Sequence, residues 1–133
     1  MIIWVTGISG AGKTTIATKV FKKIKKKFNN TIYLDGDIFR ALNGDDIGHS
    51  LTDRDKNAFR MTRFCQYLDS QKINVVCGAN LTSQKYRNWC KKNIKNYFEV
   101  FIDVPMEILK ARDVKKLYIN AIKGKIKNVV GVD

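Results

Sequence analysis

The sequence predicts an α/β protein, a three-layer sandwich in which helices cover both faces of a parallel sheet. Short apolar runs alternate along the chain with longer segments whose apolar residues recur at every third or fourth position. Alternation of this kind is typical of a parallel sheet built from strand–helix–strand units. The 133 residues are enough for one hydrophobic core of ordinary size. We therefore expect a single domain over residues 1–133.

The first half of the chain supplies two strands and two helices. The run IIWVT, residues 2–6, is apolar and ends at a glycine, as a buried parallel strand would. Residues 13–28 carry one apolar stripe at helical spacing. The run TIYLD, residues 31–35, is the second predicted strand, and residues 53–70 are predicted to be helical.

The second half continues the alternation. Residues 73–77 (INVVC) and 97–104 (YFEVFIDV) are predicted strands, with a polar helix over about residues 83–95 between them. Pro105 is expected to open one more helix, since its missing N–H costs nothing in a first turn. No repeat or linker interrupts this order, which supports the single-domain interpretation.

Composition restricts the partners and the compartment. The 25 Lys and Arg against 12 Asp and Glu give a net charge of +13, which attracts nucleic acids or phosphorylated small molecules. Lysine-rich helix faces can also be solvated surface only, so the charge names no partner. Three cysteines without a C-x-x-C pair indicate neither a disulfide framework nor a zinc site. With a first strand at residue 1 or 2 and no apolar run near ~20 residues, we expect a cytoplasmic protein without a membrane segment.

A glycine-rich loop lies between the first strand and the first helix. Residues 7–14, GISGAGKT, match G-x-x-x-x-G-K-[ST], in which backbone N–H groups surround a phosphate chain. The lysine reaches the β- and γ-phosphates, and the threonine hydroxyl binds Mg²⁺. We therefore predict a P-loop fold that binds a nucleoside triphosphate with Mg²⁺. The predicted contacts are Gly7, Ser9, Gly10, Ala11, Gly12, Lys13, Thr14 and Thr15.

The acceptor side follows the second strand. No N-K-x-D guanine motif occurs and the chain is short for a motor ATPase, which leaves a small kinase. Asp35 and Asp37 follow the carboxyl end of a parallel strand, where ligands bind, and could accept a proton or hold Mg²⁺. Arg40 could grip a second phosphate. Alternatively, Asp37 is only a helix N-cap after an ordinary turn.

Several separated motifs resemble adenylylsulfate kinases, which transfer the γ-phosphate of ATP to the 3′-hydroxyl of adenosine 5′-phosphosulfate. The motifs are LDGD-x-x-R from residue 34, D-R-x-x-N-x-x-R from residue 53 and R-D-x-K-x-L-Y from residue 112. The resemblance implies ATP and Mg²⁺ as cofactors, with Asp37, Lys13 and Asp35 as catalytic residues and Thr14 and Asp37 at the metal. It implies an acceptor site formed by Arg40, His49, Arg54, Asn57, Leu81, Lys115 and Val129.

In the same resemblance Arg112 and Lys115 are lid residues that close over the phosphates, although each could equally be a surface ion-pair partner. The family is usually dimeric, so a homodimer is expected. The family also continues with a further strand and helix after the position of residue 133, so we expect that part of it to be absent from this sequence.

The sequence departs from the family at the acceptor base. Two phenylalanines, in G-F-S and F-T-G-I-D strings, hold adenine in adenylylsulfate kinases, whereas this chain has His49 and Val129 there. A base–aromatic stack contributes ~1–3 kcal/mol, so the pair of changes should weaken adenine binding. Either the chain is a drifted adenylylsulfate kinase, or it phosphorylates another nucleotide by the same chemistry.

A branch of the family fits the second interpretation. Bacterial capsule biosynthesis clusters that build O-methyl phosphoramidate groups contain relatives acting on cytidine 5′-diphosphoramidate, and this chain looks similar to them. The favoured acceptor is therefore cytidine 5′-diphosphoramidate. The alternatives are an adenylylsulfate kinase of sulfate assimilation and, in another class, a basic nucleic-acid-binding P-loop module, which we consider the weaker hypothesis.

Overall fold

The sheet has four parallel strands. A computed structural model describes residues 1–113 and 115–132, so Asp133, the last residue of the VVGVD string, lies outside it. The strands are β1 (Ile2–Thr6), β2 (Thr31–Asp35), β3 (Asn74–Gly78) and β4 (Tyr97–Phe101), in the spatial order β2-β3-β1-β4. Every neighbouring pair is parallel. The predicted α/β class and parallel sheet are confirmed.

Six helices in the described residues connect and cover these strands. They are α1 (Lys13–Lys27), α2 (Gly36–Leu42), α3 (Leu51–Ser70), α4 (Gln84–Asn93), α5 (Met106–Arg112) and α6 (Leu117–Ile122). The sequence patterns predicted four of these helices. Both α2 and α6 are too short to show a clear apolar period. The last strand ends at Phe101, three residues before its predicted end.

Hydrophobic clusters on the two faces of the sheet give the three layers. On one face, the Trp4 ring packs with Met61 and Cys65 from α3 and with Cys90 from α4. On the other face, Ala17 of α1 packs against Val5 and Val76. All three cysteines are buried thiols outside any disulfide. Across the described residues, every helix is too short or too polar to cross a membrane.

Candidate nucleotide and acceptor site

The glycine-rich loop has the backbone shape of a phosphate cradle. Gly10 and Gly12 have φ angles of 81° and 98°, in the left-handed region that residues with a Cβ avoid. The loop closes through a hydrogen bond from the Ala11 amide to the Ile8 carbonyl, 3.1 Å long. Thr14 and Thr15 are exposed in the first turn of α1, which begins at Lys13. The loop and the positive end of this helix together form an anion site.

The side chain of Lys13 folds back across the loop. Its Nζ donates a 3.0 Å hydrogen bond to the Ile8 carbonyl. Burial lowers the pKa of Lys13 below its usual value, and the charge of Lys115 lowers it further. The charges of Asp37 and Asp35 act in the opposite direction. The charges that act on Lys13 therefore come from the residues predicted for catalysis and for the lid.

The two aspartates after β2 have different structural roles. Asp35 is the N-cap of α2, and its Oδ1 accepts hydrogen bonds from the Asp37 and Ile38 amides at 2.9 and 3.1 Å. The alternative that Asp37 caps this helix is therefore wrong, because the helix begins at Gly36 and its N-cap lies two residues before Asp37. Asp37 instead lies in the first turn, with its side chain 67% exposed. Its carboxylate is available for chemistry without loss of a cap.

Two cations flank Asp37. Its Oδ1 lies 2.9 Å from Arg40 Nη1, and its Oδ2 lies 3.2 Å from Lys115 Nζ. Partial burial raises the pKa of the Asp37 carboxyl, but the hydrogen bonds and charges of Lys115 and Arg40 outweigh burial, and the pKa lies below its ordinary value. The carboxylate is thus ionised at neutral pH, as both proton acceptance and metal binding require.

A cavity of about 460 Å³ opens beside Asp37. One wall of the cavity is the loop of residues 43–50, which we call the wall loop. It ends at Ser50, the N-cap of α3, and Nη2 of Arg60 on α3 lies 3.0 Å from Oδ2 of Asp46 in the loop. Ile47 anchors the same loop, since the residue is buried with 6% of its surface exposed. The cavity is lined by Asp37, Arg40, Ala41, Gly44, Ile47, His49 and Lys115.

Three buried side-chain polar atoms lack hydrogen-bond partners in the described part of the chain. They are Nε of Arg40, which lines the cavity, Oδ1 of Asn57, whose residue is 5% exposed, and Nη1 of Arg63, which is outside the cavity lining. An unsatisfied buried polar atom costs about 1–3 kcal/mol, and a bound ligand is one way to supply its partner. Arg40 and Asn57 belong to the predicted acceptor grip. Arg40 is at the cavity, whereas Asn57 Nδ2 contacts Met61 Sδ at 3.7 Å.

Three other predicted acceptor residues lie outside the cavity lining. Leu81 is 3% exposed in the cluster beneath α3, and its amide donates to Thr6 Oγ1. Val129 is 2% exposed and packs with Leu109 and Tyr118. Arg54 Nη1 donates to the Asn128 carbonyl at 2.6 Å. The structure thus separates the two positions expected to hold a base: His49 lines the cavity, whereas Val129 is a core residue.

The segment that includes α5 and α6 is docked on the phosphate loop. Arg112 Nη1 donates to the Gly10 carbonyl at 3.2 Å, and the buried Tyr118 hydroxyl donates to the Ser9 carbonyl. Together with the Lys115–Asp37 pair, these contacts place both predicted lid residues beside the nucleotide site. Arg112 therefore has a specific partner in the loop.

Two tyrosines at the site were missed by sequence reasoning. Tyr118 is the last residue of the R-D-x-K-x-L-Y motif, but no sequence pattern shows that its buried hydroxyl bonds to the phosphate loop. Tyr33 precedes Asp35 by two residues on β2, and residues two apart share a face of a strand. The alternation of side chains along β2 could therefore have placed Tyr33 beside Asp35. In the structure the Tyr33 hydroxyl donates to Asp35 Oδ2 at 3.2 Å.

The oxygen donors at the site suit Mg²⁺. Mg²⁺ keeps several waters and is held in kinases by one or two carboxylates or hydroxyls together with substrate phosphates. Thr14 and Asp37, both exposed, are the residues that would hold it. Within residues 1–113 and 115–132 no cluster of three or more His, Cys, Asp or Glu forms a metal cage. The ion, when bound with ATP, neutralises charge on the β- and γ-phosphates.

Comparison with known proteins agrees with this geometry. The sequence profile of adenylylsulphate kinase matches residues 1–133. A cytidine diphosphoramidate kinase from Campylobacter jejuni is 38% identical, over 99% of this chain and 77% of that protein. An adenylyl-sulfate kinase from Halothermothrix orenii is 37% identical, over 98% of this chain and 70% of that protein. The Mycobacterium tuberculosis APS kinase CysC in complex with AMPPNP and APS superposes with a TM-score of 0.86 at 33% identity, covering 99% of this chain and 79% of that one.

The fold and the phosphate cradle define a P-loop kinase that uses ATP and Mg²⁺. The chain belongs to the adenylylsulphate kinase family. It is an ATP-dependent nucleotide kinase, and its substrates are small nucleotides.

Proposed function

We propose that this enzyme transfers the γ-phosphate of ATP to the 3′-hydroxyl of a nucleotide with a modified 5′-diphosphate-like tail, and that cytidine 5′-diphosphoramidate is its preferred acceptor. The acceptor oxygen bonds to the γ-phosphorus, the bond to the β,γ-bridging oxygen breaks, and the hydroxyl proton passes to Asp37. ADP leaves while Lys13 and Arg112 offset the charge on the phosphates. The predicted catalytic, metal and acceptor residues retain these roles within the proposal, except Val129, which is buried with Leu109 and Tyr118.

The choice of acceptor rests mainly on the position of His49, which lines the cavity. An imidazole can stack and can also donate or accept a hydrogen bond, which suits a small polar base such as cytosine. The buried Arg40 Nε lacks a hydrogen-bond partner among the described residues, and an anionic tail would supply one. The similarity to the Campylobacter jejuni cytidine diphosphoramidate kinase supports the same acceptor.

Adenylylsulfate is the second candidate. The family includes adenylyl-sulfate kinases 37% identical to this chain, and a phosphosulfate tail resembles a diphosphoramidate in shape and charge. The retained Arg40 and Asn57 suit either tail. The two candidates therefore differ mainly in the base, and the base is what the experiment must vary.

We expect kcat/KM for cytidine 5′-diphosphoramidate to exceed that for adenylylsulfate in the unaltered enzyme. The His49→Phe variant should then gain about 5- to 150-fold in kcat/KM for adenylylsulfate, because one base–aromatic stack contributes ~1–3 kcal/mol. Steady-state kinetics with both acceptors measures this. Val129 is left unchanged because phenylalanine in its buried cluster would overpack the core by about 1–3 kcal/mol.

His49→Ala is the matched control, since it removes the imidazole without adding a larger ring. It should lower kcat/KM for the cytidine acceptor and give no gain with adenylylsulfate. If the unaltered enzyme prefers adenylylsulfate by tenfold, or about 1.4 kcal/mol, the acceptor proposal is wrong and the chain is an adenylylsulfate kinase.

We also propose that residues 1–133 act as one kinase domain and that the enzyme is a cytoplasmic homodimer. The family resemblance supports the dimer, and the free thiols fit a reducing compartment. Sedimentation velocity at micromolar concentration should give about twice the chain mass of 15.2 kDa. A single species at the monomer mass would contradict the dimer.

A further inference from the structure

The side chain of Arg60 on α3 contacts the wall loop at two points. Its Nη2 donates to Asp46 Oδ2 at 3.0 Å, and its Nη1 donates to Asn43 Oδ1 at 3.2 Å. Asn43 is the C-cap of α2, the helix that carries Asp37 and Arg40. One guanidinium therefore joins α3 to the end of α2 and to the middle of the wall loop.

The middle of the wall loop has few other restraints. Its two ends are fixed by the caps of α2 and α3. Between them, residues 45–49 form no backbone–backbone hydrogen bond within residues 1–113 and 115–132. The buried Ile47 and the Arg60–Asp46 pair hold this stretch instead. Loss of the pair would therefore loosen the loop without unfolding it.

The same stretch forms part of the proposed acceptor site. Gly44, Ile47 and His49 of the wall loop line the cavity together with Asp37 and Arg40 of α2. The conformation of the loop therefore decides where His49 lies relative to these two side chains. A loop that is already ordered saves the free energy that an arriving ligand would otherwise spend on ordering it.

The Arg60–Asp46 pair is too exposed to matter much for stability. The Arg60 side chain is 38% exposed and that of Asp46 is 56% exposed, and such pairs contribute little to the free energy of unfolding. An arginine suits a double contact because its planar guanidinium reaches two acceptors at once. The contact is therefore better explained by the shape of the loop than by the stability of the fold.

We propose that Arg60 is a positioning residue for the acceptor, which acts by holding Asp46 and Asn43 so that the wall loop keeps the conformation that lines the cavity. Arg60 is itself outside the cavity lining, so it acts through the loop. The inference rests on the proposed function, since it takes this cavity as the acceptor site. It is independent of which base the acceptor carries.

The test is the steady-state kinetics of Arg60→Ala with cytidine 5′-diphosphoramidate and with adenylylsulfate. We expect KM for the acceptor that the unaltered enzyme prefers to rise by about fivefold, the effect of about one hydrogen bond. KM for ATP, and kcat at saturating acceptor, should stay within about twofold. A merely structural role would reduce the folded fraction and leave both KM values unchanged, and that result overturns the proposal.

Asp46→Ala tests the link through the loop. It should also raise KM for the acceptor, by no more than Arg60→Ala does. The double variant should be no worse than Arg60→Ala alone, because both changes break the same pair. Fully additive effects would mean that the two residues act separately, which contradicts the proposal.

Arg87→Ala is the matched control. Arg87 also binds a carboxylate from a helix, Glu99 at 3.0 Å, but this pair joins α4 to β4 outside the cavity lining. The variant should leave both KM values unchanged. An equal rise in acceptor KM in the Arg60 and Arg87 variants would mean general loosening of the fold and would exclude a positioning role.

The unaltered enzyme separates this inference from the proposed function. If it phosphorylates neither nucleotide, the proposed function is wrong and the inference falls with it. If it prefers adenylylsulfate, only the choice of acceptor is wrong, and a fivefold rise in KM for adenylylsulfate still supports the role of Arg60. If it phosphorylates either nucleotide and Arg60→Ala keeps the acceptor KM, only the role of Arg60 is overturned.

Discussion

Replacing Lys13 with alanine is expected to lower ATP turnover by about 10³-fold. Transition-state charge on transferring phosphates needs fixed positive groups, and removing one such donor costs about 10²–10³ in rate. Lys13 extends over the phosphate loop, and its Nζ donates a hydrogen bond to the Ile8 carbonyl, a contact that phosphate oxygens can replace. The measurement is acceptor-dependent formation of ADP with Mg²⁺ present.

Lys19→Ala is the control for the lost charge, because Lys19 is exposed on the same helix, six residues after Lys13. It should retain near-normal turnover. Thermal unfolding of both variants shows whether α1 remains folded. Turnover that survives in Lys13→Ala would remove this residue from the catalytic set. Tight, salt-sensitive binding to generic RNA or DNA without acceptor-stimulated turnover would instead favour a nucleic-acid-binding module.

The Asp37→Asn variant is expected to lower kcat by about 10²–10⁴-fold. The carboxylate is needed as proton acceptor or metal ligand; an asparagine amide cannot accept the proton, and its neutral oxygen binds Mg²⁺ less strongly than a carboxylate does. The fold should be nearly as stable as before, because Asp35 and not Asp37 caps α2. Its ion pair with Lys115 is exposed, and such pairs contribute little to the free energy of unfolding. Its other partner, Arg40, is only 18% exposed, but an asparagine amide oxygen can still accept the Arg40 hydrogen bond.

Asp69→Asn is the matched variant for Asp37→Asn, since Asp69 is also an ion-paired carboxylate but binds the amino terminus at 2.9 Å, outside the cavity lining. It should keep normal kcat. Measurement of kcat and KM for both variants separates catalysis from binding. Near-normal kcat in Asp37→Asn would leave Asp37 as an ion-pair partner of Arg40 and Lys115 and no more.

The features of this protein that the sequence predicts correctly are those encoded in short stretches of the chain. The bounds of β1 and β2 agree with the sequence patterns, because an apolar run that ends at a glycine or turn residue needs no distant information. The phosphate loop could be predicted equally well, since backbone angles within the loop itself require its glycines. The positions of Asp37 and Arg40 at the cavity followed from the end of a parallel strand.

Other features depend on contacts between distant segments. The order β2-β3-β1-β4 is set by which strand edges pair, and no local pattern encodes that choice. The same holds for the burial of Val129 against Leu109 and Tyr118, which removed it from the predicted base site. The choice of Asp35 over Asp37 as cap was local, but two acids two residues apart offer the same chemistry to the helix.

Local sequence patterns were thus enough to predict a P-loop kinase of the α/β class and the residues available for phosphate transfer. Which of those residues share a cavity depends on how distant segments pack. That packing placed His49 at the cavity and Val129 in the core, and it brought the Tyr33 hydroxyl to Asp35. The physical reason is that backbone angles and apolar periods act over a few residues, whereas side-chain neighbours are fixed by packing among elements far apart in the chain.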